Sequence, residues 1–176
     1  MTDPRIDLIL SRIRNVPDFP KPGIMFKDIT PMLADGAAFS ACIDVMAEKN
    51  DKSSFDIIVG MEARGFIFGA ALAAKMGKGF VPVRKPGKLP WQTHQVEYEP
   101  EYGTDKVEMH KDAVLPKQRV LIVDDVIATG GTAWAACELV RVMGGTVVGA
   151  SFLIELSFLP GRKRIEPVPV SSVIVY

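Results

Sequence analysis

The sequence has little cysteine, little histidine and no net charge. Cys42 and Cys137 each lie on the apolar side of a predicted helix without metal-ligand spacing, which predicts buried free thiols. The 21 basic and 21 acidic residues cancel, so no net field attracts nucleic acid or an anionic membrane. His94 and His110 have no second ligand type nearby, which favours exposed loop positions over a metal site.

Long apolar runs are also missing. No stretch reaches the roughly 18 to 20 apolar residues that a membrane-spanning helix needs. The first 20 residues contain charges and three prolines instead of the apolar core of a signal peptide. With 176 residues, the chain is predicted to form a single domain, residues 1–176, that buries about two-thirds of its unfolded surface. We therefore expect a soluble, cytoplasmic protein.

The most informative pattern is a short apolar strand that runs into two acids and a Gly-rich loop. Val120–Val123 is continuously apolar and rich in β-branched side chains, which is typical of a strand buried on both faces in a parallel sheet. Asp124 and Asp125 are therefore expected at its carboxyl end. A helix over Ala133–Met143 and a strand over Thr146–Leu153 are predicted to follow. Open α/β sheets bind ligands just outside the carboxyl ends of such strands.

The loop that follows the acids suits a phosphate group. Its glycines let backbone amides turn inward, its threonines add hydroxyl donors, and the next helix contributes a partial positive charge. A Gly-rich turn before a helix is equally common without a ligand, so the loop alone leaves both alternatives open. The loop consists of Ala128, Thr129, Gly130, Gly131 and Thr132.

The two acids favour the phosphate interpretation. Adjacent carboxylates at a buried strand end repel each other and lose hydration, at a cost of roughly several kcal/mol unless hydroxyls or cations compensate. Acceptors for a vicinal diol or a Mg2+ ion beside a phosphate site indicate a phosphorylated sugar. The segment is not a Walker loop, because no Lys precedes Thr132, and its glycine spacing differs from the dinucleotide fingerprint.

The segment Val-Leu-Ile-Val-Asp-Asp-Val-Ile-Ala-Thr-Gly-Gly-Thr, residues 120–132, resembles the phosphoribosyl-diphosphate motif of the type I phosphoribosyltransferases. The resemblance implies an α/β fold with a mainly parallel sheet flanked by helices. It also implies that Asp124 and Asp125 bind the ribose 2- and 3-hydroxyls, while the loop from Ala128 to Thr132 binds the 5-phosphate.

A second segment, Phe-Pro-Lys-Pro-Gly-Ile-Met-Phe-Lys-Asp-Ile-Thr-Pro at residues 19–31, resembles the N-terminal hood of adenine phosphoribosyltransferases. By general packing tendency its apolar residues would form a small satellite core. The resemblance implies instead that a hood over about residues 15–34 holds the base, with Phe26 stacked on the purine. The residues expected to bind adenine are Met25, Phe26, Lys27 and Val126.

Two further segments are expected to bind diphosphate. Met-Glu-Ala-Arg-Gly-Phe-Ile-Phe-Gly, residues 61–69, resembles the family's diphosphate loop, which often carries a non-proline cis peptide. Arg-Lys-Pro-Gly-Lys, residues 84–88, is by itself a solvated turn or an anion site. The resemblance favours the anion site and implies that one of these basic residues crosses a homodimer interface. The expected diphosphate-binding residues are Glu62, Ala63, Arg64, Arg84, Lys85 and Lys88.

Residues 84–110 are predicted to form a flexible lid. The part from Trp91 to Met109 has no helical stripe, and apolar and polar residues alternate over 106–109 as in a hairpin arm. A long insertion suits a reaction that must exclude water. Its Glu-Tyr-Gly resembles the family's flexible-loop motif, which implies that Glu101 is the catalytic proton-transfer residue and Tyr102 a lid residue.

The resemblance implies that adenine and 5-phospho-α-D-ribose 1-diphosphate give AMP and diphosphate. Mg2+ is expected to bind through substrate and water, the assembly to be a homodimer, and nucleic acid and membrane to play no part. Two alternatives remain open: the same chemistry on another base, and a regulator that binds the sugar diphosphate without catalysis. The hood favours adenine, and the chain has no spare length or basic arm for DNA binding.

Overall fold

The computed structural model describes residues 3–99 and 103–176. The chain divides into two compact units, one ending at Val45 and one running from Met46 to Tyr176. The single-domain interpretation stays a prediction. None of the helices in the described ranges is long and apolar enough to cross a membrane.

The N-terminal unit begins with a capped helix. The side chain of Asp3 accepts a hydrogen bond from the Arg5 amide at 2.9 Å, and proline occupies the first helical position. An antiparallel hairpin follows, and Gly23 donates its amide to Asp18 at 2.7 Å and closes the turn. The elements are α1 (Pro4–Ser11), β1 (Arg14–Pro17), β2 (Met25–Asp28), α2 (Thr30–Ala34) and the start of α3 (Gly36–Glu48).

The C-terminal unit contains a five-stranded parallel sheet with helices, which confirms the predicted fold class. Its elements in chain order are β3 (Ile57–Met61), α4 (Arg64–Met76), β4 (Gly79–Val83), β5 (Thr93–Tyr98), β6 (Asp105–His110), β7 (Arg119–Ile127), α5 (Gly131–Val142), β8 (Thr146–Glu155), α6 (Gly161–Arg164) and β9 (Val170–Val175). The order across the sheet is β4-β3-β7-β8-β9, with β4 and β9 at its edges.

Strand β7 is the middle strand and is longer than predicted. It pairs with β8 as far as Ile127, but with β3 only as far as Val123. Asp124 and Asp125 therefore lie inside the strand, and the prediction that they form its carboxyl end is wrong, because β7 continues to Ile127. The apolar run marks the part of β7 with neighbours on both sides, while the backbone ladder to β8 continues past it.

Strands β5 and β6 form the predicted hairpin as a separate two-stranded sheet, and its role as a lid stays a prediction. The predicted alternation fails at Glu108, because Val107, Glu108 and Met109 are all buried. The basic segment that begins at Arg84 pairs with β6 at Glu108 and covers that carboxylate, so the polar face of the strand does not point into water.

Glycines allow α4 to pack closely on the sheet. A Cβ atom on Gly69 would lie 2.8 Å from Cε2 of Phe80, and one on Gly60 would lie 2.5 Å from the same atom. The Phe80 ring also packs edge-on against Phe66, with ring centroids 5.7 Å apart. The ring of Phe80 therefore occupies the space that the two missing side chains leave between helix and strand.

We expect Gly69→Ala to destabilise the protein by about 1–3 kcal/mol, because the added methyl group must displace the Phe80 ring. Gly36→Ala is the matched control, since a Cβ there meets nothing within 4 Å. That control should be neutral or gain up to about 1 kcal/mol from reduced entropy of the unfolded chain. Urea denaturation measures both free energies of unfolding, and equal values would contradict the packing argument.

Candidate active site

Three neighbouring parallel strands, β3, β7 and β8, end at one edge of the sheet, and the segments after them line that edge. The first leads from Glu62 into α4, the second is the loop before α5, and the third leads from Leu156 into α6. Glu62 and Thr129 belong to the first two segments, and Arg64 and Thr132 lie in the helical turns that follow them, beside Asp124 and Asp125 of β7. The edge is therefore the candidate active site.

Two carboxylates of β7 form its centre. Asp125 is 5% exposed and its Oδ2 lies 2.5 Å from Nε of Arg64, while Asp124 is partly buried and accepts the Asp125 amide at 2.9 Å. Loss of hydration, and then the adjacent Asp125 carboxylate, raise the pKa of Asp124 well above its ordinary value. The site thus holds an acceptor pair whose negative charge is only partly compensated.

Arg64 reaches the acids because the first turn of α4 contacts β7. A Cβ on Gly65 would lie 2.7 Å from Oδ1 of Asp124 and 3.0 Å from the Val123 carbonyl, so only glycine fits there. Arg64 was expected in a loop, but it is the first residue of the helix. The preceding Glu62–Ala63 peptide is cis, as the resemblance implied.

The phosphate loop, residues 128–132, is named for its predicted ligand and leads directly into α5. Gly130 has φ 78°, a conformation that favours glycine, and Gly131 and Thr132 already belong to the first helical turn. Within the described residues this helix start has no side-chain cap. Its backbone amides and partial positive charge therefore suit an anion.

The phosphate loop packs against α6 through its backbone. A Cβ on Gly130 would lie 2.6 Å from the Gly161 carbonyl oxygen, so the two backbones are in close contact. Arg162 in α6 donates to both oxygens of Glu155 at 2.8 and 2.6 Å, and Ser172 adds a third donor at 2.7 Å. These bonds tie α6 to Glu155 at the end of β8, which Ser172 of β9 also holds, and through Gly161 they support the loop.

The first two residues of the basic segment after β4 are held by acids, while Pro86, Gly87 and Lys88 are exposed. Arg84 donates from Nε to Glu62 at 3.0 Å, and the Lys85 amide donates to the same carboxylate oxygen at 3.0 Å. The ammonium group of Lys85 forms an ion pair with Asp105 of β6. Lys88 is exposed. Two of the three predicted cations are thus fixed near the edge by carboxylates.

The carboxylate of Glu108 in β6 also binds the basic segment after β4. Its carboxylate is 2% exposed and accepts bonds of 3.3 Å from the amides of Lys88 and Leu89, and of 3.1 and 3.0 Å from the side chains of Thr93 and Gln95. Burial raises the pKa of Glu108, but these four bonds outweigh it and hold the pKa below its ordinary value.

The predicted base-binding residues occupy both units. In β2, Met25 is 52% exposed, the ring of Phe26 packs edge-on against Phe19 at 5.0 Å between centroids, and Lys27 donates to Asn15 at 2.8 Å. Val126 is a partly buried residue of β7. The predicted catalytic residue, Glu101, and the lid residue, Tyr102, lie outside the described residues.

Sequence reasoning missed four residues that shape the site: Gly65, Tyr98, Asp105 and Glu108. Tyr98 and Asp105 face each other across the hairpin, and its alternating pattern was the only available signal. The pattern does not specify which residues pair. The contacts of Gly65 and Glu108 arise from packing between segments far apart in sequence, for which the sequence carries no local signal.

A family model, phosphoribosyl transferase domain, matches residues 30–174. The chain belongs to the phosphoribosyltransferase family. An adenine phosphoribosyltransferase of Roseiflexus sp. (strain RS-1) is 57% identical over 164 residues, which span 93% of this chain and 95% of that relative. Both chains are thus compared over nearly their whole length.

Solved phosphoribosyltransferase structures share this fold. The crystal structure of adenine phosphoribosyltransferase from Thermoanaerobacter pseudethanolicus has a TM-score of 0.94 and 54% identity, covering 97% of this chain and 99% of that one. The Saccharomyces cerevisiae enzyme, complexed with an imino-altritol bisphosphate and adenine, has a TM-score of 0.92 and 40% identity, covering 97% and 98%. The five-stranded sheet of this chain is therefore the sheet of the phosphoribosyltransferase fold.

We expect Asp124→Asn to raise the thermal stability at neutral pH. An acid whose pKa is raised on folding destabilises the folded state above its ordinary pKa of 3.8, and this penalty grows as pH rises towards the folded pKa. Asparagine carries no charge and can still accept the Asp125 amide. The gain in melting temperature should therefore shrink as pH is lowered towards 3.8.

Asp56→Asn is the matched control, with the opposite sign. Hydrogen bonds from Arg119 lower the pKa of Asp56 to about 2, so its charge stabilises the folded state at neutral pH. That variant should melt at a lower temperature. Melting curves between pH 4 and pH 8 test both, and a less stable Asp124→Asn protein at neutral pH would contradict the electrostatic account.

Proposed function

We propose that this chain is an adenine phosphoribosyltransferase that converts adenine and 5-phospho-α-D-ribose 1-diphosphate to AMP and diphosphate in purine salvage. The observation that carries the proposal is the acid pair Asp124 and Asp125 of β7. The pair contacts the start of α4 and precedes the phosphate loop that joins β7 to α5. Relatives of 57% identity over nearly the full length bear this enzyme's name.

The sugar is proposed to bind at β7 and the start of α5. Asp124 and Asp125 accept the ribose 2- and 3-hydroxyls, which supply the donors that two adjacent carboxylates need. The amides and hydroxyls of the phosphate loop bind the 5-phosphate. The residues proposed for that group are Ala128, Thr129, Gly130, Gly131 and Thr132.

The diphosphate is proposed to bind the cations that acids hold in this structure. The guanidinium of Arg64 exchanges part of its pairing with Asp125 for a diphosphate oxygen, a charge-assisted contact of the same kind. The other residues proposed for this group are Glu62, Ala63, Arg84, Lys85 and Lys88. Glu62 acts by holding Arg84 and the Lys85 amide, because a carboxylate cannot itself donate to phosphate at neutral pH.

The base is proposed to bind Met25, Phe26, Lys27 and Val126, and Glu101 to be the catalytic residue. A bond forms between an adenine ring nitrogen and the anomeric carbon while the bond from that carbon to diphosphate breaks, with inversion. Adenine loses one proton in this step, and Glu101 is the group proposed to exchange it. Tyr102 belongs to the lid that excludes water from the ribosyl cation-like transition state.

Mg2+ is proposed to act through the substrate. Within the described ranges no group of three or more His, Cys, Asp or Glu side chains forms a metal site. Asp124 and Asp125 fit an ion that keeps its waters and binds mainly through substrate oxygens. When bound, the ion would neutralise charge on the departing diphosphate.

We further propose a cytoplasmic homodimer without nucleic-acid or membrane partners. Cys42 and Cys137 are buried and unpaired, and burial raises the pKa of both thiols to about 12, which suits a reducing compartment. Ile67 at 40% exposure and Trp91 at 66% leave apolar surface for a second copy to cover. Sedimentation velocity of the purified protein tests the assembly.

A panel of free bases tests the proposed activity. Purified protein, sugar diphosphate and Mg2+ should form AMP from adenine, with kcat/KM at least about 100-fold above hypoxanthine, guanine or xanthine, the discrimination that polar base contacts provide. Comparable efficiency with another purine would overturn the adenine assignment. A protein that binds the sugar diphosphate in calorimetry but forms no nucleotide would instead be a binding protein.

We expect Glu101→Gln to lower kcat by about 100-fold or more, because glutamine cannot exchange the proton. Substrate affinity should change little, since the amide has nearly the same size. Steady-state kinetics separates kcat from both KM values. Glu99→Gln, two residues earlier and exposed, is the control and should retain turnover. Unchanged turnover in Glu101→Gln would mean that the proton moves by another route.

A further inference from the structure

The end of strand β5 in the lid hairpin lies directly against the phosphate loop. A Cβ on Gly131 would be 3.1 Å from both the Glu99 carbonyl oxygen and Cδ2 of Tyr98. Arg164 of α6 donates from Nη2 to the same Glu99 carbonyl at 3.1 Å. Tyr98 is 6% exposed, so its ring is packed beside the first turn of α5.

The Tyr98 hydroxyl joins the phosphate loop to the basic segment. It donates to Oδ2 of Asp105 at 3.2 Å and accepts from Oγ1 of Thr132 at 3.4 Å. Asp105 lies opposite Tyr98 across the hairpin and forms an ion pair with Lys85. A continuous polar chain therefore runs from Thr132 through Tyr98 and Asp105 to Lys85.

The two ends of this chain are proposed to bind opposite ends of one molecule. Thr132 belongs to the 5-phosphate site, and Lys85 belongs to the diphosphate site. A lysine ammonium is a point charge on a flexible four-carbon stem, so a neighbouring partner must set its position. Asp105 is that partner in this structure, and the Tyr98 hydroxyl orients Asp105.

We propose that Tyr98 is a positioning residue for the sugar diphosphate, which acts through Asp105 to hold Lys85 in fixed relation to the phosphate loop. This inference rests on the proposed function, because it needs a ligand with phosphate groups at both ends. Tyr98 touches no reacting atom. The affinity for such a ligand depends on the tyrosine hydroxyl, while the affinity for adenine, or for a ligand with only the 5-phosphate, does not.

Tyr98→Phe is the decisive variant, because it removes the hydroxyl and keeps the buried ring. We expect the KM for the sugar diphosphate to rise about three- to ten-fold, the range that loss of one or two hydrogen bonds produces. The KM for adenine should stay at its wild-type value, while the melting temperature falls by only a few degrees, because the same hydrogen bonds also stabilise the unliganded fold. Ribose 5-phosphate, titrated by calorimetry, should bind with unchanged affinity because it lacks the diphosphate.

A double-mutant cycle separates the relay from independent effects. Asp105→Asn keeps an acceptor for Tyr98 but removes the ionic partner of Lys85, so it should raise the same KM. The KM of the double variant for the sugar diphosphate should be no higher than that of the single variant with the higher KM, because both substitutions act through Lys85. Glu97→Gln is the control, since it breaks only the half-exposed ion pair with Lys106 on the same hairpin. It should leave the KM for the sugar diphosphate and the KM for adenine unchanged.

The outcomes distinguish this inference from the proposed function. If wild-type protein forms no AMP and binds no sugar diphosphate, the proposed function fails before any variant is compared, and the inference fails with it. If wild type is active but Tyr98→Phe has an unchanged KM for the sugar diphosphate, the inference alone is overturned. It is also overturned if Tyr98→Phe weakens the binding of ribose 5-phosphate to the same extent. A joint change in the KM for adenine, the KM for the sugar diphosphate and the melting temperature would overturn it as well.

Discussion

The rest of the site depends on one constraint: β7 pairs with β8 over a longer stretch than it pairs with β3. The strand stays paired with β8 to Ile127, but β3 ends its pairing at Val123. The next residues, Asp124 and Asp125, are therefore held by a regular ladder on one side and open on the other. The start of α4 fills part of that opening, and it does so only because Gly65 has no side chain.

A common electrostatic arrangement surrounds this opening. Three cations proposed to bind the diphosphate are each held by an acid: Arg64 by Asp125, Arg84 by Glu62 and Lys85 by Asp105. Each pair positions a mobile side chain, but it also competes with the substrate for that cation. The net affinity is thus a difference between similar charge-assisted contacts, and small changes in the acids' positions should alter it strongly.

Local patterns predicted the helix and strand that follow the acids to within a few residues. Helix α5 ends at Val142, one residue before the predicted end, and β8 begins at Thr146 as predicted. The errors have one cause. The apolar run of β7 stops before its hydrogen-bonded ladder, Arg64 enters the helix, and Glu108 is buried beneath another segment. In each case a contact with a distant part of the chain overrides the local signal.

The sequence by itself determined the order of strand, loop and helix, the acid pair and the phosphate loop, because periodicity and turn chemistry act over a few neighbouring residues. The match of these motifs to a family was also available from sequence alone. Only the tertiary structure decided which acid holds which cation and that Tyr98 joins Thr132 to Asp105. Those contacts depend on strand register and close packing between distant segments, and neither is encoded locally.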